Sequence, residues 1–235
     1  MADLTIKLYA DGANLDEMVA AYESGRIQGF TTNPTLMRAA GVTDYVAFAK
    51  KVLEKITDMP ISFEVFSDEL DEMERQAKLI AEWGDNVYVK IPVTNTKGVS
   101  TAPIITSLSN AGVKLNVTAV FTDAQVEWIT EALNKDTPSV ISVFAGRIAN
   151  TGTDPMPAMK RAVEIAKANP KAEVLWASPR EALNIIQAQE CGCHIITATP
   201  SIIGQVKNFG KDLAQFSLET VQMFYNDASS AGYSL

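Results

Sequence analysis

The chain has little cysteine and almost no histidine. Its 235 residues include Cys191, Cys193 and one histidine, His194. A metal site with several histidines is therefore excluded, and the lone C-G-C sequence has no second ligand pair nearby for zinc. A Ser-His catalytic pair has a single candidate histidine. We interpret the two cysteines as reduced packing residues on a strand, which favours a cytoplasmic protein.

Long hydrophobic runs are absent as well. No apolar stretch approaches the ~18 residues of a membrane-spanning helix, and the N-terminus lacks a basic segment followed by an apolar one. We therefore predict neither a membrane helix nor a signal peptide. The net charge is −8, from 20 Lys and Arg against 28 Asp and Glu. This balance argues against a general nucleic-acid or membrane-surface binder, although it allows a local basic pocket.

The Gly-rich phosphate-binding sequences of open α/β sheets are also missing. The chain instead alternates short apolar runs with longer amphipathic segments. The predicted strands are Thr5–Ala10, Gly29–Asn33, Ile61–Phe66, Val87–Pro92, Lys114–Ala119, Ser139–Phe144, Glu173–Ala177 and Cys193–Ala198. The predicted helices include Leu15–Tyr22, Asp44–Ile56, Asp68–Trp83, Thr122–Asn134, Met156–Ala168 and Pro179–Glu190. Asp68, Thr122 and Asp154 are predicted to cap three of these helices.

Eight strand-then-helix units with strands rich in Val and Ile predict a mainly parallel sheet, and eight strands can close into a barrel. We predict an α/β fold, a single (β/α)8 TIM barrel that forms one domain over residues 1–235. An open, doubly wound sheet is the structural alternative. Residues 207–235 are predicted to form a C-terminal helical extension. This extension covers the barrel, packs on another subunit, or is simply the last barrel helix.

One lysine interrupts an otherwise apolar run. Lys90 lies within the run Val87–Val93. Removing an ammonium group from water is costly unless the group is paired or neutral. Burial favours the neutral amine, which is a nucleophile toward carbonyls. A snorkelling lysine on an edge strand, or a structural ion pair, explains the same position without chemistry, so Lys90 alone leaves these alternatives open.

Polar residues recur at alternate positions of the predicted strands, mostly near their C-terminal ends. Since residues two apart in a strand share a face, seven strands each send at least one of them to a common face. They are Asp11, Asn33, Ser62, Glu64, Tyr88, Lys90, Asn116, Thr118, Ser142 and Ser178. In a barrel that face is the lumen, whose C-terminal mouth carries the chemistry. Asn33 before Pro34 can instead cap a helix, whereas Glu64 and Lys90 lie inside apolar runs where a cap does not belong.

Five segments match a known family. They are YADGAN at 9–14, GFTTNPT at 29–35, VKIPV at 89–93, NVTA at 116–119 and VFAGR at 143–147. On these segments the chain resembles the transaldolases, in particular the branch of short transaldolases and fructose-6-phosphate aldolases. The resemblance implies a (β/α)8 barrel, sugar-phosphate substrates as partners, no metal or other cofactor, and a role in the pentose phosphate pathway. It also implies a homo-oligomer, as a pentamer or a decamer, with the C-terminal helix helping assembly.

The resemblance further implies roles for individual residues. Lys90 corresponds to the lysine that forms a Schiff base with a ketose, and Asp11 to the base that takes the C4-hydroxyl proton. Glu64 and Thr118 correspond to the pair that handles a catalytic water. The implied substrate-binding residues are Thr32, Asn33, Asn116, Ser142, Phe144, Ser178 and the two phosphate-binding arginines Arg147 and Arg180.

Two residues separate transaldolase from aldolase activity. The aldolase branch carries Gln at the position of Glu64 and Tyr at that of Phe144. A tyrosine hydroxyl can polarise the catalytic water and favour protonation of the enamine, whereas a phenyl ring cannot. We therefore predict a transaldolase that moves a dihydroxyacetone unit from sedoheptulose 7-phosphate or fructose 6-phosphate to an aldose phosphate.

Three alternatives remain beside that prediction. The first is a class I aldolase of the fructose-6-phosphate aldolase type. The second is a transaldolase for a sulfonated or otherwise modified ketose, because two arginines bind either anion and Pro179 replaces an aromatic residue of the family. The third is a barrel that only binds sugar phosphates. The third is disfavoured by Lys90, Glu64 and Asp11 together, because a mere binder has no use for an amine at the carbonyl.

Overall fold

The structure, a computed structural model, describes residues 4–233. Within them, eight parallel strands form a closed barrel in chain order. The strands are β1 (Lys7–Asp11), β2 (Gly29–Thr31), β3 (Ile61–Glu64), β4 (Val87–Pro92), β5 (Leu115–Val120), β6 (Ser139–Val143), β7 (Ala172–Trp176) and β8 (Ile195–Ala198). The predicted barrel is confirmed, and the open-sheet alternative is excluded because β1 pairs with β8.

Helices connect successive strands and also follow the last strand, β8. They are α1 (Leu15–Glu23), α2 (Pro34–Ala39), α3 (Tyr45–Lys55), α4 (Leu70–Ala81), α5 (Ala102–Asn110), α6 (Asp123–Ala132), α7 (Ala145–Ala149), α8 (Met156–Ala166), α9 (Leu183–Glu190), α10 (Pro200–Gly204) and α11 (Leu213–Ala231), with a 3₁₀ helix over Gln205–Asn208. The strands begin and end within two residues of the predicted bounds. Within residues 4–233, no helix is long and apolar enough to cross a membrane.

Of the three predicted helix caps, one is confirmed, one is wrong and one is displaced. Asp154 lies one residue before Pro155, the N-cap of α8, and its Oδ1 accepts from Met156 N at 2.9 Å. Thr122 caps α6 in a capping box, because its side chain accepts from Gln125 N and the Gln125 side chain returns a bond to the Thr122 backbone. Asp68 does not cap α4. Its carboxylate instead accepts hydrogen bonds from the backbone N and Oγ1 of Thr96, each at 2.7 Å. This bond joins the loop after β3 to the loop after β4.

Apolar side chains fill both sides of the barrel wall. Outward-facing strand residues such as Phe30, Phe63 and Trp176 are fully buried under the helices. Inside the lumen, a smaller cluster is formed by Tyr9, Val140, Leu175, Ala177 and Ile195. A Cβ on Gly29 would lie 2.5 Å from Cζ of Tyr9, so only glycine leaves room for that ring. This cluster is the apolar part of the lumen beside β1, β6, β7 and β8.

The additional C-terminal helix of the prediction is confirmed as α11. Its apolar side chains are exposed, with Leu213 at 79%, Val221 at 61%, Phe224 at 63% and Tyr225 at 72% of full exposure. Such a contiguous apolar surface is uncommon on a monomer. The predicted single domain over residues 1–235 stays a prediction, and its ends lie outside the described residues.

Candidate active site

A cavity of about 470 Å³ opens at the C-terminal mouth of the barrel. Residues from each of the eight strands, or from the loop that directly follows, line it. Those predicted from the sequence are Asp11, Asn33, Glu64, Lys90, Thr118, Ser142, Phe144, Arg147 and Ser178. Parallel strands bring these residues together because their carboxyl ends meet at one rim, which is where barrel enzymes carry their chemistry.

Lys90 lies at the centre of this site. It is 7% exposed, and its Nζ lies 3.4 Å from Glu64 Oε2 and donates to the Thr32 carbonyl at 3.1 Å. Glu64 and Lys90 stand opposite each other on β3 and β4. The ion pair expected from a structural explanation is therefore present. The same amine also lines the cavity, where a carbonyl carbon can reach it.

Two carboxyl groups share the cavity with Lys90. Burial raises the pKa of Glu64 above its ordinary value of 4.5; the charge of Lys90 opposes this rise and that of Asp11 adds to it. Burial also raises the pKa of Asp11 above its ordinary value of 3.8, against the charge of Lys90 and a hydrogen bond from Thr31. Carboxyl groups whose pKa is moved toward neutral pH are suited to passing protons in both directions.

Asp11 is held by a chain of hydroxyl groups that the sequence reasoning missed. Thr31 Oγ1 donates to Asp11 Oδ1 at 2.7 Å and lies 2.5 Å from Thr197 Oγ1. Both threonines line the cavity. Strand alternation carried the necessary signal, because Thr31 lies two residues before Asn33 and Thr197 is the polar residue within β8.

Thr118 presents its hydroxyl at a backbone irregularity. The pairing of β5 with β6 shifts register between Val117 and Val120, and Ala119 has a φ of 60°. Such bulges re-aim side chains next to active sites. Thr118 Oγ1 is buried and has no hydrogen-bond partner among residues 4–233. A buried hydroxyl without a partner costs about 1–3 kcal/mol, so this group is suited to a ligand or water in the cavity.

Asn33 serves two purposes that the sequence could not separate. It is the N-cap of α2, and its Oδ1 accepts from Leu36 N at 2.9 Å. It also lines the cavity. Because the cap uses only the oxygen, the amide N–H groups remain available for a substrate hydroxyl.

Thr32 is predicted from the sequence to bind the substrate, but the neighbouring Thr31 lines the cavity in its place. Its side chain is fully buried, and its hydroxyl donates to the Ser62 carbonyl at 2.8 Å. Thr31 lines the cavity instead, because it shares a strand face with Asn33 and Thr32 does not. Thr32 meets the site only through its backbone carbonyl, which accepts from Lys90.

Asn116 and Arg180 also lie outside the cavity lining. Asn116 is buried, accepts from Ser142 Oγ at 2.6 Å and donates to Ser62 Oγ at 2.9 Å, so it orders the lumen below the cavity. Arg180 donates from Nε to the Gly146 carbonyl at 3.3 Å. Of the two predicted anion-binding arginines, only Arg147 lines the cavity.

The rim beside Arg147 depends on a close backbone contact. A Cβ on Gly146 would lie 1.5 Å from the carbonyl oxygen of Ser178, which itself has a φ of 58°. Phe144 packs against Phe121 with ring centroids 5.7 Å apart, and the Arg147 guanidinium lies 5.3 Å from the Phe144 ring centroid. The ring therefore supports a cation at the mouth.

The chain is similar to known proteins along most of its length. A profile of the family described as transaldolase/fructose-6-phosphate aldolase matches residues 8–235. A probable transaldolase from Thermoanaerobacter sp. is 33% identical over 202 residues, which cover 86% of this chain and 89% of the relative. A probable transaldolase from Streptococcus equi subsp. zooepidemicus is 34% identical over 222 residues, covering 90% of this chain and 99% of the relative.

A solved structure is similar in fold. KGPDC from Streptococcus mutans superimposes with a TM-score of 0.56 over 85% of this chain and 90% of the other. The two sequences are 11% identical, so this likeness shows the barrel fold and nothing about the reaction.

Proposed function

The chain belongs to the transaldolase/fructose-6-phosphate aldolase family of enzymes, and from this premise we propose that it is a transaldolase acting through a Schiff base on Lys90. The observation that carries the proposal is the position of the Lys90 amine. It lies in the cavity, nearly buried, with one carboxylate at 3.4 Å. A nucleophilic amine beside an acid–base group is the arrangement that imine chemistry needs.

Imine formation is the first step of the proposed reaction. Lys90 first passes a proton to Glu64, and its neutral amine then attacks the ketose C2 carbonyl. A proton moves from the nitrogen to the new alkoxide, and the resulting carbinolamine loses water to give the protonated imine. Glu64 delivers the proton that lets hydroxide leave as water, and Thr118 holds that water through its hydroxyl. The raised pKa of Glu64, caused mainly by burial, suits a group that must first hold and then release a proton.

Cleavage follows from the electron demand of the imine. Asp11 takes the C4-hydroxyl proton, the C3–C4 bond breaks, and its electron pair moves to the imine to form an enamine. The aldehyde fragment leaves. The enamine then attacks the aldehyde of an acceptor, Asp11 returns its proton to the new hydroxyl, and hydrolysis of the imine frees the product ketose.

The transferase is favoured over the aldolase by the residues next to the enamine. Phe144 lines the cavity as a phenyl ring packed against Phe121, so it supplies no proton there. Glu64 is tied to Lys90. An enamine in this setting is not readily protonated, so it persists until an acceptor aldehyde binds. The donors that we propose are sedoheptulose 7-phosphate and fructose 6-phosphate, with Arg147 binding the anionic group.

Two wider aspects belong to the same proposal. The exposed apolar face of α11 supports a homo-oligomer, a pentamer or a decamer as the family resemblance implies. Sugar-phosphate substrates and two free, buried cysteines support a cytoplasmic location. A sulfonated ketose stays the alternative substrate, because the Arg147 guanidinium binds either anion.

The experiment that tests this proposal has two stages. Purified protein is reduced with borohydride in the presence of fructose 6-phosphate, and its intact mass should rise in wild type and in Lys7→Ala but not in Lys90→Ala. Lys7 is the matched control, since it pairs with Glu173 at the opposite end of the barrel. The second stage compares transfer to erythrose 4-phosphate with release of dihydroxyacetone. Rapid release without an acceptor would identify an aldolase.

A further inference from the structure

Thr197, a residue of β8, reaches the Asp11 carboxyl group through one intermediate hydroxyl. β1 lies between β8 and β2 in the barrel. Asp11 stands opposite Thr31 on β2, and Tyr9, two residues earlier, stands opposite Thr197 on β8. Asp11 and Tyr9 share a face of β1, so the side chains of Asp11, Thr31 and Thr197 all point into the lumen. The hydroxyls of Thr197 and Thr31 meet there at 2.5 Å.

Counting protons gives this chain of hydrogen bonds a direction. A threonine hydroxyl has one proton to donate, whereas an ionised carboxylate only accepts. Because Thr31 Oγ1 lies 2.7 Å from Asp11 Oδ1, an ionised Asp11 accepts the hydrogen bond that the Thr31 hydroxyl donates. Thr31 then accepts its second bond from Thr197. Once Asp11 is protonated on Oδ1, both bonds can reverse, with Asp11 donating to Thr31 and Thr31 to Thr197.

We propose that Thr197 is a positioning residue for the catalytic carboxyl group: its donation to Thr31 keeps the Thr31 hydroxyl donating to Asp11 Oδ1 and leaves Oδ2 to act on the substrate. The hydrogen bond that the carboxylate receives from Thr31 goes to Oδ1. The two threonines thus orient the carboxylate while the other oxygen stays available. Thr197 acts only through Thr31, and the inference rests on the proposed role of Asp11 as the base.

The hydrogen bonds from Thr197 to Thr31 and from Thr31 to Asp11 also influence how readily Asp11 releases its proton. The charged groups that face Asp11 across the cavity are Lys90 on β4, Glu64 on β3 and Arg147 after β6. The flanking strands β2 and β8 turn the hydroxyls of Thr31 and Thr197 toward it. A hydroxyl that itself accepts a bond is a stronger donor, so the Thr197 bond strengthens the support for the ionised carboxylate.

The test compares Thr197→Val, which removes the hydroxyl at nearly constant volume, with Thr197→Ser, which retains it. We expect Thr197→Val to move the Asp11 titration, followed by its ¹³C-carboxyl chemical shift, to higher pH. The kcat for cleavage should fall about fivefold with KM unchanged. The acidic limb of the pH profile of kcat should move to higher pH together with the Asp11 titration. Thr197→Ser should match wild type, and thermal unfolding checks that each variant is folded.

A double-mutant cycle distinguishes a relay from a packing role. If Thr197 acts through Thr31, Thr197→Val should have no further effect in a Thr31→Val background. Additive effects, an unmoved Asp11 titration in Thr197→Val, or failure of Thr197→Ser to match wild type would each overturn the inference. Borohydride trapping of the wild-type protein tests the proposed Schiff base independently of Thr197. Loss of trapping would refute the Schiff-base enzyme, while the Asp11 titration would still decide the relay.

Discussion

At the scale of the residue, the site brings the largely buried side chains of an amine and two acids into one cavity. Lys90, Glu64 and Asp11 interact with one another electrostatically, and burial is the largest influence on both carboxyl groups. Because burial disfavours their charged forms, these carboxyl groups cost stability, as is common at functional sites. We expect a substitution of Asp11 to change the free energy of unfolding. We expect a substitution of Phe144 to change whether the enamine is protonated or transferred.

Asp11→Asn should stabilise the protein. The pKa of Asp11 is raised in the folded protein above its ordinary value of 3.8, so the group favours folding fully below that value and loses this contribution as pH rises through the folded pKa. The asparagine variant should therefore gain stability relative to wild type as the pH rises above about 4, by ~1.4 kcal/mol for each pH unit that separates the folded from the unfolded pKa. Urea unfolding at several pH values measures this difference.

The exposed Asp16 on α1 provides the control for that experiment. Asp16→Asn removes a carboxylate without touching the cavity. A wild-type stability that rises relative to Asp11→Asn over the same pH range would contradict a raised pKa for Asp11.

Phe144→Tyr should change the fate of the enamine. A phenol at this ring position can hydrogen-bond to a water near the enamine and promote its protonation. Release of free dihydroxyacetone should therefore rise relative to transfer, while trapping on Lys90 is retained. Phe121→Tyr is a matched control, because Phe121 packs on the same ring but does not line the cavity. An unchanged ratio of the two activities in Phe144→Tyr would remove Phe144 from this role.

At the scale of the element, the loops after the strands form the rim. The loop after β3 is bound to the loop after β4 through Asp68 and Thr96, whose hydrogen bonds lower the pKa of Asp68. Helix α7, which follows β6, meets the loop after β7 where Gly146 touches the Ser178 carbonyl. These contacts hold neighbouring strand ends, and the side chains that they carry, at fixed spacing.

Gly146→Ala should move helix α7 away from the loop after β7. A methyl group 1.5 Å from a carbonyl oxygen cannot be accommodated without movement, and overpacking of this kind costs about 1–3 kcal/mol. Since Arg147 is the next residue, KM for a phosphorylated donor should rise more than for dihydroxyacetone. Gly204→Ala, where a Cβ meets nothing within 4 Å, is the control. A Gly146→Ala protein with wild-type stability and KM would contradict the close contact.

How far the sequence predicts this molecule differs between elements. Periodicity located the eight strands, because alternation and apolar runs are local signals. The sequence placed Thr32 in the site in place of Thr31, a one-residue offset that moves a side chain to the other side of the wall. It could not show that Arg180 turns to the Gly146 carbonyl, because that contact joins residues 34 apart in the chain. The short helices α2 and α7 carry too few residues for a periodic pattern.

At the scale of the whole molecule, the barrel buries its strands on both faces yet leaves α11 almost uncovered. We predict that this helix packs on another copy of the chain. Val221→Glu combined with Phe224→Glu should lower the molar mass measured by light scattering, because a charge at each apolar position opposes burial. Gln222→Glu adds a charge on the same helix and should leave the mass unchanged. A wild-type protein with the mass of one chain would contradict the homo-oligomer.

The central claim is that the Lys90 amine forms the covalent intermediate, and the most direct measurement is the mass of the peptide that contains it. Wild-type protein is incubated with fructose 6-phosphate, reduced with borohydride, digested and analysed by mass spectrometry. We expect the reduced sugar adduct on Lys90, with no adduct in the Lys90→Ala protein. An adduct on another lysine, or one that persists in Lys90→Ala, would contradict the account.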